Sequence, residues 1–410
     1  MSVLRAPEYR PPTRWGSFFF LVLWCCCVPS ALAGGGRSAC ETSPLPAGAV
    51  LAMQDDLDLA SLDAAVGQSL RLLGKLPAGR EYRLCGETYT VAWLRESLRE
   101  FQALARRART AEALRKEVAE RFTVCRAGSR ERPGKILLTG YFEPLVEGSL
   151  TPQGAYRYPL YRRPADLAER EGAGGKEWGR YQEGQFLPYW SRAEIENDKR
   201  LAGQELVYLS DPLAPFILQV QGSGKVRLPD GAIRRVQFAG KNGRPYRSIG
   251  KVLIEEGALR RAEVDMPRIV RYLSQLPAAE RDRILHTNES YVFFRWGENN
   301  DAGPLGCFGV PLTGGRSLAL DQDCFPPGVL GWLRARKPRV NKQGEIVGWE
   351  PFSRFVVNQD SGSAIVGSDR ADLFWGAGPY ARSAAGAAKH PAELVFLVKK
   401  KGLSGAGKIR

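Results

Sequence analysis

The stretch Asn358-Gln-Asp360-Ser-Gly362-Ser-Ala-Ile365-Val-Gly367-Ser-Asp369-Arg-Ala-Asp372-Leu-Phe-Trp375-Gly376-Ala-Gly378 decides how this chain is read. An apolar run, residues 355–358, enters it as a strand, and small residues then let the backbone turn closely. Asp372 opens a second short strand, rich in aromatics. Two glycine-rich turns bring Asp360 and Asp372 to the same end of a barrel, an arrangement suited to acid/base work on a glycosidic bond. One carboxyl must stay protonated near neutral pH to protonate a leaving oxygen. A neighbouring carboxylate raises its pKa by like-charge repulsion, and burial against Phe374 and Trp375 adds to this. Asp369 reads as a turn residue bonding its own backbone; Asp360 divides between that role and catalysis. Three aspartates in a glycine-rich loop also fit calcium, although no twelve-residue loop with a terminal Glu is present.

Working outward, short apolar or aromatic runs punctuated by Gly and Pro recur at 135–142, 206–209, 216–220, 226–228, 236–238, 291–294 and 394–399. Such spacing predicts β-barrels or sandwiches rather than a parallel α/β sheet. Helical islands at 248–256 and 267–276 interrupt the strands. From Asp55 to Phe122 the pattern is helical: Val91, Leu94, Leu98, Phe101 and Leu104 recur at three- and four-residue steps and form a core stripe. Residues 167–187 are polar and Gly-rich and read as an exposed loop. Residues 34–54 read as a linker, and the basic tail 399–410 as frayed.

The chain has 410 residues, too many for one ordinary core, and a net charge of +15. That balance favours an acidic partner: nucleic acid, anionic lipid, or a cell wall whose stem peptides carry carboxylates. The basic residues are scattered and no nucleic-acid-binding motif occurs, so nucleic acid is not expected. Arg5, Arg10 and Arg14, an apolar run at 17–28 and Ala31-Leu32-Ala33 form a secretory leader. A lipid anchor is poorly supported, because Arg37 upstream of Cys40 and Trp24 before Cys25 do not suit a lipobox. Cleavage after Ala33 leaves Cys40, Cys85, Cys125, Cys307 and Cys324, an odd count with one left over. The short spacing of Cys307 and Cys324 predicts a bridge between them. With two histidines and no CxxC, zinc hydrolysis and Ser-His or Cys-His catalysis are disfavoured, and neither metal nor cofactor is expected.

The aspartate cluster resembles the three-aspartate domain of the membrane-bound lytic murein transglycosylase A family. Upstream segments resemble it in the same order: Thr139-Gly-Tyr-Phe-Glu-Pro144, Tyr158-Pro-Leu-Tyr161-Arg162, Phe216-Ile-Leu-Gln-Val-Gln221-Gly-Ser-Gly224 with Phe238-Ala-Gly-Lys241-Asn242-Gly243-Arg-Pro-Tyr246-Arg247-Ser248-Ile-Gly250-Lys251, and Asn288-Glu-Ser-Tyr291-Val-Phe-Phe294. The resemblance runs over roughly residues 135–400. It implies a mainly β chain with an N-terminal helical part: a double-psi β-barrel with a second small β-domain inserted, and a glycan groove between them. The implied layout is leader 1–33, linker 34–54, helical segment and barrel start 55–146, insertion 147–303, and remaining barrel 304–410.

Asp372 matches the family's catalytic acid and Asp360 its other acidic position. As a sugar groove, aromatic faces at Tyr141, Phe142, Tyr246, Tyr291, Phe294 and Trp375 would meet C–H surfaces, and Thr139, Gln221, Lys241, Arg247 and Asn288 would fix hydroxyl and N-acetyl groups. Phe142, Phe293 and Phe294 read more readily as core. The implied reaction cuts the β-1,4 bond between N-acetylmuramic acid and N-acetylglucosamine, leaving a 1,6-anhydromuramyl end, with Asp372 acting first as acid and then as base. The implied partner is the peptidoglycan strand, with other wall-synthesis or wall-degrading enzymes as further candidates. The implied place is the periplasm, with or without attachment to the outer membrane. Two rivals stand beside this: a water-using glycoside hydrolase with Asp360 and Asp372 as its pair, and a non-catalytic wall-binding protein.

Overall fold

The computed structural model describes residues 42–45, 53–129, 132–172, 175–261, 264–298, 303–362 and 364–402. The leader, its cleavage signature, Cys40, most of the linker and the end of the tail lie outside the described residues.

A short strand, β1 (Ser43–Pro44), is followed by helix α1 (Leu59–Gly74), which begins where the Asp58 carboxylate accepts from the Ser61 amide. The helical reading of 55–122 then needs correction. A hairpin, β2 (Glu81–Leu84) and β3 (Glu87–Thr90), interrupts it. Its turn is Cys85-Gly86, with φ of 55° and 81°, the doubly left-handed geometry that matches strand twist. Thr90 caps α2 (Val91–Arg107), which buries the predicted stripe from Val91 to Leu104. Helix α3 (Ala111–Arg121) leads into β4 (Phe122–Arg126), where Cys125 is bonded to Cys85.

Strand β5 (Lys135–Glu143) passes through Pro144 directly into β6 (Leu145–Ser149), the first strand of a second sheet. That sheet continues with β7 (Tyr158–Tyr161). Residues expected as a loop are instead a separate three-stranded sheet: β8 (Ala168–Gly172), β9 (Gly175–Gln182) and β10 (Gln185–Pro188). Its β9–β10 turn, Glu183-Gly184, has φ of 51° and 77°, and Arg170 lies over the Phe186 ring at 4.1 Å. The polar composition that reads as loop is the solvent side of this sheet, held by arginine–aromatic stacking rather than by an apolar stripe.

After α4 (Arg192–Asn197) come β11 (Glu205–Leu209) and α5 (Ala214–Gln221). The run 216–220, expected as a strand, is therefore helical: Pro215 sits in the first turn of α5, and both helix faces are covered, which erases the amphipathic signal. Strands β12 (Ser223–Arg227) and β13 (Ile233–Lys241), helices α6 (Ile249–Glu255), α7 (Met266–Ser274) and α8 (Ala278–His286), and β14 (Val292–Trp296) complete the insertion. The sheet order is β14-β13-β12-β6-β11-β7, and one bridge, Arg162 to Phe294, joins its two ends. Val207, Val226, Val236 and Phe294 fill its core.

The chain then returns to the first sheet with β15 (Ser317–Ala319), β16 (Leu330–Val340), β17 (Ile346–Asp360), β18 (Arg370–Ala377), α9 (Pro379–Ala387) and β19 (Lys389–Lys399). Pairing runs β19-β16-β17-β15-β18-β5, and β5 pairs back onto β19, so six strands close into a barrel. Two of its pairs, β5–β18 and β15–β17, are parallel, in keeping with the double-psi barrel expected. Leu138, Leu318, Leu333, Val356, Leu373 and Phe396 share one face of the closed sheet and fill it, while Trp332 and Phe355 lie on the other face, where Phe355 meets Phe101 of α2. Residues 54–58 strap the barrel to α1. Arg316, 0% exposed, donates from Nη1 to Asp55 Oδ2 at 2.5 Å and to the Phe355 carbonyl at 2.9 Å. Asp56 takes both Nε and Nη2 of Arg354 at 2.8 Å.

Candidate active site

The three-residue strand β15 organises the acids. Its Ala319 is paired with Asp360 of β17 on one side and with Asp372 of β18 on the other; Asp372 is paired in turn with Thr139 of β5. With strands about 4.8 Å apart, the two aspartate Cα atoms lie about 10 Å from each other in one row. Leu373 and Trp375 join the barrel core, so side-chain alternation turns Asp372 and Phe374 to the other face of β18. There the Phe374 ring meets Tyr141 of β5, with centroids 5.2 Å apart.

Asp360 is held on both oxygens. Its Oδ1 accepts from the backbone N–H of Cys307 at 2.8 Å and of Ser361 at 2.9 Å, and its Oδ2 accepts from the Tyr141 hydroxyl at 2.8 Å. Burial pushes its carboxyl up, while these donors favour the charged form and oppose the rise. Asp372 is different. Its Oδ1 is shut off from solvent and has no hydrogen-bond partner. Burial pushes its carboxyl up to about 7, against the pull of a Thr139 hydrogen bond and the Arg370 charge; the Asp360 charge adds the smallest contribution. The order of causes thus reverses the expectation from sequence: desolvation leads and like-charge repulsion follows. Asp369 forms a surface ion pair with Arg132 at 3.2 Å and stands apart from this constellation.

The remaining candidates divide. Thr139 and Tyr141 are brought to the aspartates. Gln221, at the end of α5, accepts from the Phe142 amide at 3.0 Å and so ties the insertion to β5. Lys241 is half-buried at the end of β13, Tyr246 is 41% exposed, and Arg247 is exposed with its guanidinium 3.0 Å from Glu255. Asn288 and Tyr291 need correction as sugar contacts. Asn288 is buried, and its Oδ1 accepts from the amides of Arg247 and Ser290. Tyr291 is 1% exposed and packs with Tyr161 and Phe293 in the core. Their polar and aromatic types signalled a groove, but the same groups serve to fold the 242–247 turn onto β14.

The predicted Cys307–Cys324 bridge is also overturned. Cys307 is free, whereas Cys324 is disulfide-bonded, and Cys85 is joined to Cys125 across 40 residues. Sequence proximity does not fix side-chain direction. The turn carrying Cys307 closes on itself through Gly306 N–H to Val310 O at 3.0 Å and hands its next amide to Asp360. That amide, together with the pairing position of Ala319, is the part of the site that residue types alone gave no reason to single out. No group of three or more His, Cys, Asp or Glu with metal-binding spacing occurs among the described residues.

Sequence models of known families match two regions: the MltA specific insert domain over residues 137–295 and the 3D domain over 316–398. Membrane-bound lytic murein transglycosylase A of Escherichia coli K12 is 34% identical over 277 residues, 67% of this chain and 68% of its own. The chain belongs to the membrane-bound lytic murein transglycosylase A family. Among solved members, the Agrobacterium tumefaciens membrane-bound lytic murein transglycosylase superposes with a TM-score of 0.70 at 29% identity, covering 88% of this chain and 98% of that one. The structure of E. coli MltA with bound chitohexaose gives 0.64 at 27% identity, covering 88% and 91%. The family's 3D domain spans β15 to β19 and so carries both Asp360 and Asp372, while its insert domain includes most of β5 and with it Thr139 and Tyr141.

Proposed function

We propose that this chain is a lytic transglycosylase of the cell envelope that cleaves peptidoglycan between N-acetylmuramic acid and N-acetylglucosamine, with Asp372 as its single acid/base. The observation that carries the assignment is the desolvated carboxyl of Asp372, whose Oδ1 has no partner and which burial pushes up to about 7. In the first half-reaction its proton goes to the glycosidic oxygen as the C1–O bond breaks, releasing the N-acetylglucosamine 4-hydroxyl. In the second, the aspartate takes the proton of the muramyl C6 hydroxyl as that oxygen bonds to C1. The acid is regenerated and no water is consumed, so the new end is a 1,6-anhydro ring.

A water-using hydrolase on the same barrel would need Asp360 as its second carboxylate. Three donors already occupy Asp360, which supports a role in holding the site and setting its charge instead. E. coli MltA has been solved with bound chitohexaose, a related glycan, and the reading transfers that class of ligand to this groove. We place Thr139, Tyr141, Gln221, Lys241, Tyr246 and Arg247 along it.

The test is digestion of purified sacculi followed by mass analysis of the products. The assignment requires ends lighter by one water than hydrolysed ones. It also requires Asp372→Asn to lower turnover by at least roughly a hundredfold while glycan binding persists. Hydrolysed ends would establish the hydrolase instead, and binding without any cleavage by the unaltered chain would establish a wall-binding protein.

A further inference from the structure

The insertion carries a cavity of about 500 Å³ away from the two aspartates, lined by Arg162, Arg163, Phe238, Ala239, Phe294 and Arg295. It lies at the seam of the second sheet, where the single Arg162–Phe294 bridge joins β7 to β14. Several arginines of the insertion are neutralised: Arg170, Arg200, Arg227, Arg247 and Arg283 each face a carboxylate within about 3 Å. The three in this cavity have no carboxylate partner among the described residues.

Each of the three is instead steadied by a neutral acceptor. Arg162 Nη2 donates to the Glu205 carbonyl at 3.0 Å, and Arg163 Nη2 to the Leu167 carbonyl at 3.2 Å. Arg163 also lies over the Trp178 ring at 4.9 Å. With the Gln237 amide turned oxygen-first, its Oε1 accepts from Arg295 Nε at 3.1 Å and Nη2 at 2.8 Å. Neutral acceptors orient a guanidinium without cancelling its charge, which leaves its remaining N–H groups for an incoming carboxylate. Beside them Phe238, 45% exposed, meets Trp178 edge-on and offers an apolar wall.

One strand face links Arg295 of the cavity to the end of β5. On β13, Arg235 grips Glu143, the last residue of β5, at 2.6 Å with both side chains buried. Gln237 stands two residues further along the same face and holds Arg295. Two residues of strand cover about 7 Å. Arg295 is therefore linked, through Gln237 and Arg235, to the end of the strand that carries Thr139 and Tyr141.

We infer that this cavity binds the carboxylates of a short acidic peptide: the stem peptide carried by N-acetylmuramic acid, with its methyl side chains against Phe238 and Ala239. The inference rests on the peptidoglycan reading above and adds to it the part of the substrate that the sugar groove does not recognise.

The experiment uses the full chain and two substrates: glycan strands bearing stem peptides, and the same strands stripped of peptide by an amidase. Arg163→Ala/Arg295→Ala should raise KM on peptide-bearing strands roughly tenfold, as loss of two exposed charge contacts allows, with kcat held. The same variant should leave the stripped strands unchanged. Titration of the free tripeptide L-Ala-γ-D-Glu-diaminopimelate should show binding that the variant loses and that amidation of the peptide's carboxylates abolishes. Should the alanine variant melt early, Arg163→Gln/Arg295→Gln serves in its place.

Unchanged KM on both substrates overturns the inference, as does an equal loss on both. Loss of binding to vesicles of anionic phospholipid with peptide-bearing cleavage intact overturns it in favour of a membrane contact. Failure of the unaltered chain to cleave either strand would instead remove the peptidoglycan reading itself.

Discussion

If Asp372 supplies the proton, cleavage must fall as pH rises through its pKa. An ordinary aspartate, with a pKa of 3.8, would be protonated in only about one molecule in a thousand at pH 7. Burial moves Asp372 to about 7, where about half the molecules hold the proton, a gain of nearly three orders of magnitude in competent enzyme. Above that value kcat/KM should drop about tenfold per pH unit, and below it the acid limb should level off. The same shift has a cost in stability: the folded chain binds this proton more tightly than the unfolded one, so raising pH from about 4 to about 7 weakens folding at this position. The assay is the initial rate of anhydromuropeptide release from sacculi between pH 5 and 9, with salt held constant because the +15 chain acts on an acidic polymer. A rate that stays level to pH 9, in protein shown to be folded across that range, would refute Asp372 as the acid.

Asp360→Asn should be milder than Asp372→Asn and should move the alkaline limb to lower pH, because a nearby negative charge is lost; the move should be small, since that charge is the least of the causes acting on Asp372. A pH-rate profile of the variant checks both direction and size. Arg316→Ala removes the charged partner of Asp55, which keeps the amide donors of Leu57 and Phe355, and a donor to the Phe355 carbonyl, and should destabilise the fold by about 2–3 kcal/mol in urea unfolding. Cys85→Ser opens a loop spanning 40 residues and should cost about 4 kcal/mol by the chain-entropy account, and the difference between parent and variant should vanish when reductant, which also opens the Cys324 bond, is added to both. Activity should survive EDTA; loss on chelation, restored by calcium, would bring back the calcium reading of the aspartate loop.

The strands were legible wherever an apolar run was bounded by Gly or Pro, as at β5 and β19, because both faces of a closed barrel strand are buried or nearly so. Helix α5 was misread for the same reason, since a helix covered on all sides shows no periodicity. The β8–β10 sheet was illegible because stacked arginines do the work expected of aliphatic side chains. At the site, Asp360 and Asp372 stood out by residue type and spacing. What sequence could not show was their inequality. One has three donors and the other has an unpartnered oxygen, and that difference comes from the backbone amides of Cys307 and Ser361 and from a tyrosine more than two hundred positions away. Tyr291 and Asn288 carried the right chemistry for a sugar but face inward, a distinction that depends on packing against Tyr161 and the 242–247 turn.

Ala319 has a consequence for how this site can change over time. Both acids are neighbours of that one residue, so the distance between them is a property of sheet geometry and not of the loop that joins them. Residues 361–369 can lengthen, shorten or change composition, and the two carboxylates stay at a fixed interval as long as β15 keeps its register. A slip of β15 by one position would do the opposite: it would disturb the pairing of both acids at once and turn the side chains of the slipped strand to the other face. The loop is thus free to be reshaped for different strand ends or wall architectures, while the three-residue strand behind it is the part that cannot drift.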